Sequence, residues 1–142
     1  MGSVRQLEHV AIADCAWEID AADLPDLFET AAKALAELTV DPAPLAGTAE
    51  AQVQLTADAL DLLLFDFLGE LIYRRDAEGV VLHDGRVRIT GDGPYRLEAR
   101  LTGGRIDVGS TVRRNEPKAV TFHQLAVARH DGGWRARVVL DI

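Results

Sequence analysis

The sequence has 142 residues, 48% of them hydrophobic, with 15 basic against 23 acidic side chains and a net charge of −8. That length suits one well-buried domain and is short for two, and the apolar content excludes a disordered chain. The acidic balance argues against stable direct binding to nucleic acid, which relies on neutralising phosphates.

The lone cysteine, Cys15, leaves no disulfide framework and no thiolate zinc site. No apolar run reaches membrane-spanning length and no signal-peptide core opens the chain, so the cytoplasm is the expected location.

Residues 5–20 read as two short strands. Asp14 lies in a small-apolar run between Ile12-Ala13 and Cys15-Ala16-Trp17, either at a strand junction or set in a pocket. A first helix opens at Asp23, a good N-cap, with Pro25 tolerated in the first turn. Leu24, Leu27, Phe28, Ala31, Leu35 and Leu38 recur at helical spacing, Lys33 and Glu37 fall on the opposite side, and Val40-Asp41-Pro42 ends the helix. The Pro/Gly stretch 41–47 is too short to separate domains, and 49–55 reads as a strand. A second helix begins near Thr56 or Asp58 and carries Leu60, Leu63, Leu64, Phe67, Leu68 and Leu71, with Leu62, Phe65 and Ile72 widening the stripe. A helix this apolar is buried on more than one side or lies under a partner. Glu70 is expected to pair with Arg74 on its solvated face.

After Gly79 the hydrophobic period changes to two. Val80 to Leu82 precedes a turn at Asp84-Gly85, then Arg86 to Thr90, a turn at Gly91–Pro94, and an alternating run from Tyr95 to Leu101. Gly103-Gly104 reads as the next turn, and Lys118 to Arg129 as one long strand. Asp131-Gly132-Gly133 closes a hairpin onto the terminal strand from Trp134 to Leu140. The expected fold is α+β, mostly antiparallel sheet with two helices packed on one face, in a single domain over residues 1–142.

Asp141 and the carboxylate of Ile142 put paired hard oxygens at the end of that strand, which is what a Ca²⁺ or Mg²⁺ site needs. Alternation sets Asp141 on the side of Arg135 and Arg137, opposite Trp134, Ala136, Val138 and Leu140. His123 reads as a partly buried strand histidine sharing a face with Thr121 and Leu125. His9, His83 and His130 are isolated, and no histidine pair has metal-ligand spacing. No nucleophile elbow, phosphate loop or Cys/His dyad is present.

Three segments together resemble the archease family. They are Lys118-Ala119-Val120-Thr121-Phe122-His123 with Trp134 to Ile142; Leu64-Phe65-Asp66-Phe67-Leu68-Gly69-Glu70-Leu71-Ile72-Tyr73; and the stretch from Asp14 through Leu24-Pro25-Asp26-Leu27-Phe28-Glu29-Thr30-Ala31-Ala32. The resemblance covers nearly the whole chain and is weakest from Gly91 to Glu116. It implies an archease-like fold and an accessory role toward the RNA ligase that joins 2′,3′-cyclic-phosphate or 3′-phosphate ends to 5′-hydroxyl ends in tRNA splicing. Members promote guanylylation of that ligase and its multiple turnover. The resemblance also implies a metal site of Asp14, Asp141 and Ile142 here, and three carboxylates suit Ca²⁺ or Mg²⁺, with Mn²⁺ also possible by the same ligand chemistry. The family's opening His-Thr-Ala-Asp is Ala11-Ile12-Ala13-Asp14 in this chain: the acid is kept, and its His and Thr neighbours are not.

Three functions compete on this reading. The chain is a ligase activator with no catalytic centre of its own, a stand-alone module binding a cation or small ligand, or, least favoured, a small hydrolase using Asp14, His123 and Asp141 with a metal. If the C-terminal carboxylate is a ligand, a tag added after Ile142 is expected to impair metal binding.

Overall fold

The chain's structure, a computed structural model, describes residues 2–7, 14–45, 47–107, 109 and 111–142, with Asp14 described in its backbone alone. The first two strands, β1 (Ser3–Leu7) and β2 (Asp14–Ala21), pair antiparallel. In β2 the alternation separates Cys15, Trp17 and Ile19, which enter the core, from Glu18 and Asp20 on the opposite face.

Helix α1 (Leu24–Thr39) starts where expected. The Asp23 side chain accepts the Asp26 N–H at 2.9 Å, and the buried positions Leu27, Phe28, Ala31 and Leu35 follow the apolar stripe. Its last carbonyls, which have no partner within the helix, are capped from far away in sequence. Arg114 donates to the Glu37 and Thr39 carbonyls, and Asn115 to that of Leu38.

Strand β3 (Ala49–Ala57) runs further than the sequence suggests, because Thr56 and Ala57 pair with Arg96 and Tyr95. Helix α2 (Leu60–Glu78) therefore begins after Ala59, near the expected Asp58 start and beyond the Thr56 one. Leu63, Leu64, Phe67, Leu68, Leu71 and Ile72 are buried, whereas Leu62 is 41% exposed and Phe65 half-buried.

Strand β4 (Val80–Gly91) is continuous, and Asp84-Gly85 is no hairpin turn. The register against β5 (Tyr95–Arg105) shifts between Leu82 and Asp84, so His83 is the extra residue of a bulge. Gly85 follows the bulge at φ 142°, a conformation other residues rarely adopt, and that is why the dipeptide looks like a turn in sequence. Gly103 and Gly104 are likewise strand residues. A Cβ at Gly103 would collide with the Val81 carbonyl oxygen, so the glycine serves close strand approach, not chain reversal.

The expected long strand from Lys118 to Arg129 is broken. Only β6 (Ala119–Val120) and β7 (Ala126–His130) are extended. Both pair with β8 (Gly133–Asp141), and the residues between them turn away, with Gln124 at φ 53°. The turn carries Phe122 onto α2, where it stacks on Phe65 at 4.3 Å and 9°.

The strands form two antiparallel sheets. One has the order β1-β2-β8-β6 with β7 also on β8, and the other the order β3-β5-β4. The α+β class with two helices holds, and each helix touches strands of both sheets, so the helices are packed between them. Phe28 and Phe67, both 0% exposed, meet at 5.7 Å at the centre. No helix among the described residues is long and apolar enough to cross a membrane.

Replacing Phe28 by alanine should cost about 3–5 kcal/mol of stability. Urea unfolding of Phe28→Ala measures this, and a loss within the scatter of surface substitutions would contradict a core centred on the two rings.

Candidate functional site

The terminal strand runs through the middle of the larger sheet. It pairs with β2 from Ala21↔Trp134 to Asp14↔Asp141, and with β6 at Ala119↔Asp141 and Val120↔Leu140. Asp14 and Asp141, from opposite ends of the chain, are thus direct partners in one antiparallel register. Residues so paired lie about 4.5–5.5 Å apart at Cα. The strand end is held firmly, because Lys118 N–H donates to the Asp141 carbonyl at 2.7 Å and neighbouring Leu140 and Cys15 are buried. Asp141 is exposed, Ile142 is 36% exposed, and no described residue bonds to the Asp141 carboxylate.

The other sequence candidates lie apart from this end or in different settings. His123 is exposed in the turn after β6, not partly buried in a strand, and its N–H donates to Thr121 Oγ1 at 3.3 Å. Glu70 Oε1 pairs with Arg74 Nε at 3.5 Å, the expected i,i+4 contact. His83 occupies the β4 bulge, and His130 Nε2 lies 3.2 Å from Asp131. His9, Ala11 and Ile12 fall outside the described residues, as does the Asp14 side chain. Among described side chains, no three of His, Cys, Asp or Glu gather as metal ligands. The donor chemistry at the strand end suits a hard cation: two aspartates in direct register, with Ile142 next along the chain.

The same sheet face holds a charge cluster that the sequence does not announce. Glu18 is only 6% exposed, because guanidinium groups cover it. Arg5 bonds to it, Arg137 donates at 3.3 Å and Arg135 lies 3.4 Å away. Arg135 also holds Asp20 in a two-pronged link at 2.7 and 3.0 Å. Burial raises the Glu18 pKa, but the hydrogen bond from Arg137 and the charges of Arg135 and Arg5 outweigh it, leaving the carboxyl below the ordinary glutamate value. Asp20 is lowered chiefly by its bond to Arg135. The available signal was two alternating runs of opposite charge, Glu18/Asp20 and Arg135/Arg137. Only the register joins them.

The family comparison bears on the whole of this architecture. Residues 5–142 match the model of the Archease protein family. The chain belongs to the archease family. It is 34% identical to a protein archease of Pyrococcus furiosus over 98% of this chain and all of that one. It is 36% identical to a protein archease of Methanothermobacter thermautotrophicus over 84% of this chain and 86% of the relative. Among solved structures, the solution structure of Methanobacterium thermoautotrophicum protein 1598 superposes with a TM-score of 0.82 at 32% identity, covering 94% of this chain and 96% of that one. The family model spans β2 and β8, the two strands that carry the aspartates.

A depressed carboxyl pKa contributes stability that is complete above the unfolded value, about pH 4.3 for glutamate, and is lost as pH falls through the lower folded value. The urea midpoint should therefore drop on acidification below that range, and more shallowly in Glu18→Gln. Equal slopes for the two proteins would rule Glu18 out as a titrating contributor.

Proposed function

We propose that this archease is an accessory protein of the RNA ligase of tRNA splicing, promoting ligase guanylylation and turnover, and that its carboxylate strand end binds a divalent cation. The observation that carries the ligase role is family membership over residues 5–142. The cation half of the reading is supported by the Asp14↔Asp141 register. Like charges directly opposite in an antiparallel pair destabilise it, and a cation between them reverses that sign. Asp14, Asp141 and the Ile142 carboxylate are the ligands in this reading, with Ca²⁺ or Mg²⁺ first and Mn²⁺ next, because all three take oxygen donors.

When bound, the cation supplies positive charge for nucleotide phosphates near the ligase's own nucleophile. The chain's part is positional. Strand pairing on both sides of Asp141 fixes the acids, and the protein acts by docking and electrostatics with no catalytic centre of its own, in the cytoplasm.

The test mixes the protein with its ligase and GTP and measures ligase–guanylate formation, alongside calorimetric titration with Ca²⁺ and Mg²⁺. Wild type should stimulate, and Asp14→Ala and Asp141→Ala should each lose cation affinity and stimulation by about tenfold or more. Absence of stimulation by wild type would refute the ligase role. Full stimulation by both variants would refute the site. Cation binding without stimulation would favour the stand-alone cation-binding module.

A further inference from the structure

On the side of α1 away from α2, the two sheets overhang the helix and leave an open slot. Its volume is about 760 Å³, within the range of sites that bind ligands. One wall is the inner face of β1, with Val4 and Gln6 and with Trp17 behind them. The other is the bulge of β4, with His83 and Asp84. The floor is α1, and a second cavity continues past Glu37 to Asp41.

Among the described residues, the slot is lined by the acids Asp26, Glu29, Glu37 and Asp84 and by one lysine, Lys33. Asp26 and Glu29 accept the Gly2 and Val87 N–H groups, so the acids that face outward are the exposed Glu37 and Asp84, with Arg114 bordering the adjoining cavity. An independent observation lies in the β4 wall: among the described residues, His83 Nε2 is buried with no hydrogen-bond partner. A buried ring nitrogen of this kind is normally satisfied, and here it borders the slot.

The two strands that border the slot are the edges of their sheets, and they differ. The β4 edge is guarded in the usual ways, by the bulge at His83 and by the charged Arg86 and Arg88. The β1 edge has no bulge, no proline and one charge, Arg5, whose guanidinium is turned to Glu18. An unguarded edge beside an acidic slot matches one kind of occupant.

We infer that β1 accepts an extended segment of a partner protein as an added strand, with lysine or arginine at alternate positions reaching into the acidic slot. Main-chain bonds to the β1 edge give the affinity, and alternate side chains pointing into the slot give the choice of sequence. This surface lies along α1 and is separate from the Asp14/Asp141 strand end, so the inference stands independently of the proposed ligase role.

The probes are a short capped peptide alternating lysine with valine and its glutamate–valine counterpart. Binding is followed by calorimetry, and amide exchange by mass spectrometry. The lysine peptide should bind and slow exchange in residues 3–7, while the glutamate peptide should not bind. Glu37 and Asp84 are both exposed, so the double reversal Glu37→Lys with Asp84→Lys should keep the fold and weaken the lysine peptide by about tenfold or more. Equal affinity for the two peptides, unchanged affinity in the double variant, or binding without protection of residues 3–7 would overturn the inference. So would protection of β1 without peptide as the protein dimerises.

Discussion

The fold depends on β8 having partners on both sides. Its inner face contributes Ala136, Val138 and Leu140, all 0% exposed, to the floor on which both helices rest. Along one side it holds β2 over eight registered pairs, and along the other it holds β6 and β7. Without it the larger sheet has no centre: the β1–β2 pair would stand alone, and an isolated two-stranded pair is marginal in water. The core, the arginine cluster and the aspartate pair all follow from this one strand's register.

Carboxylates on the outer face of that sheet meet two different fates. Glu18 and Asp20 are opposite or near Arg137 and Arg135 and have their charge answered within the protein. Further along the same strands the small residues Ala16 and Val139 face each other, and beyond them come Asp14 and Asp141, acid opposite acid. The pair of strands thus matches opposite charges at one end and like charges at the other. The proposed cation answers that imbalance in the way the arginines answer the first.

Much of the fold was legible because its signals are local. The Asp23 cap, the apolar stripe of α1, the change of period at Gly79 and the Asp131–Gly133 hairpin each act within a few residues. The misreadings share a cause. Asp84-Gly85 and Gly103-Gly104 carry turn composition, but bulge geometry and close strand approach select their glycines, and both depend on a neighbouring strand. The break at Thr121–Leu125 is likewise set by a distant partner, because Phe122 leaves the sheet to stack on Phe65. At the candidate site the acids were visible individually and through the family resemblance. The Glu18 cluster and the slot beside β1 were not, since neither exists until strands remote in sequence are aligned.

Pairing β2 with β8 closes a loop that contains almost the whole chain. The entropy of such closure grows only logarithmically, by about 0.6 kcal/mol for each doubling of length. Residues added at the surface turn between β4 and β5 therefore leave the meeting of Asp14 with Asp141 nearly untouched. The backbone separation of the two residues is set by the pairing of β2 with β8 and is insulated from the length of that surface turn, so the turn is free to lengthen while the two ends of the chain stay in step.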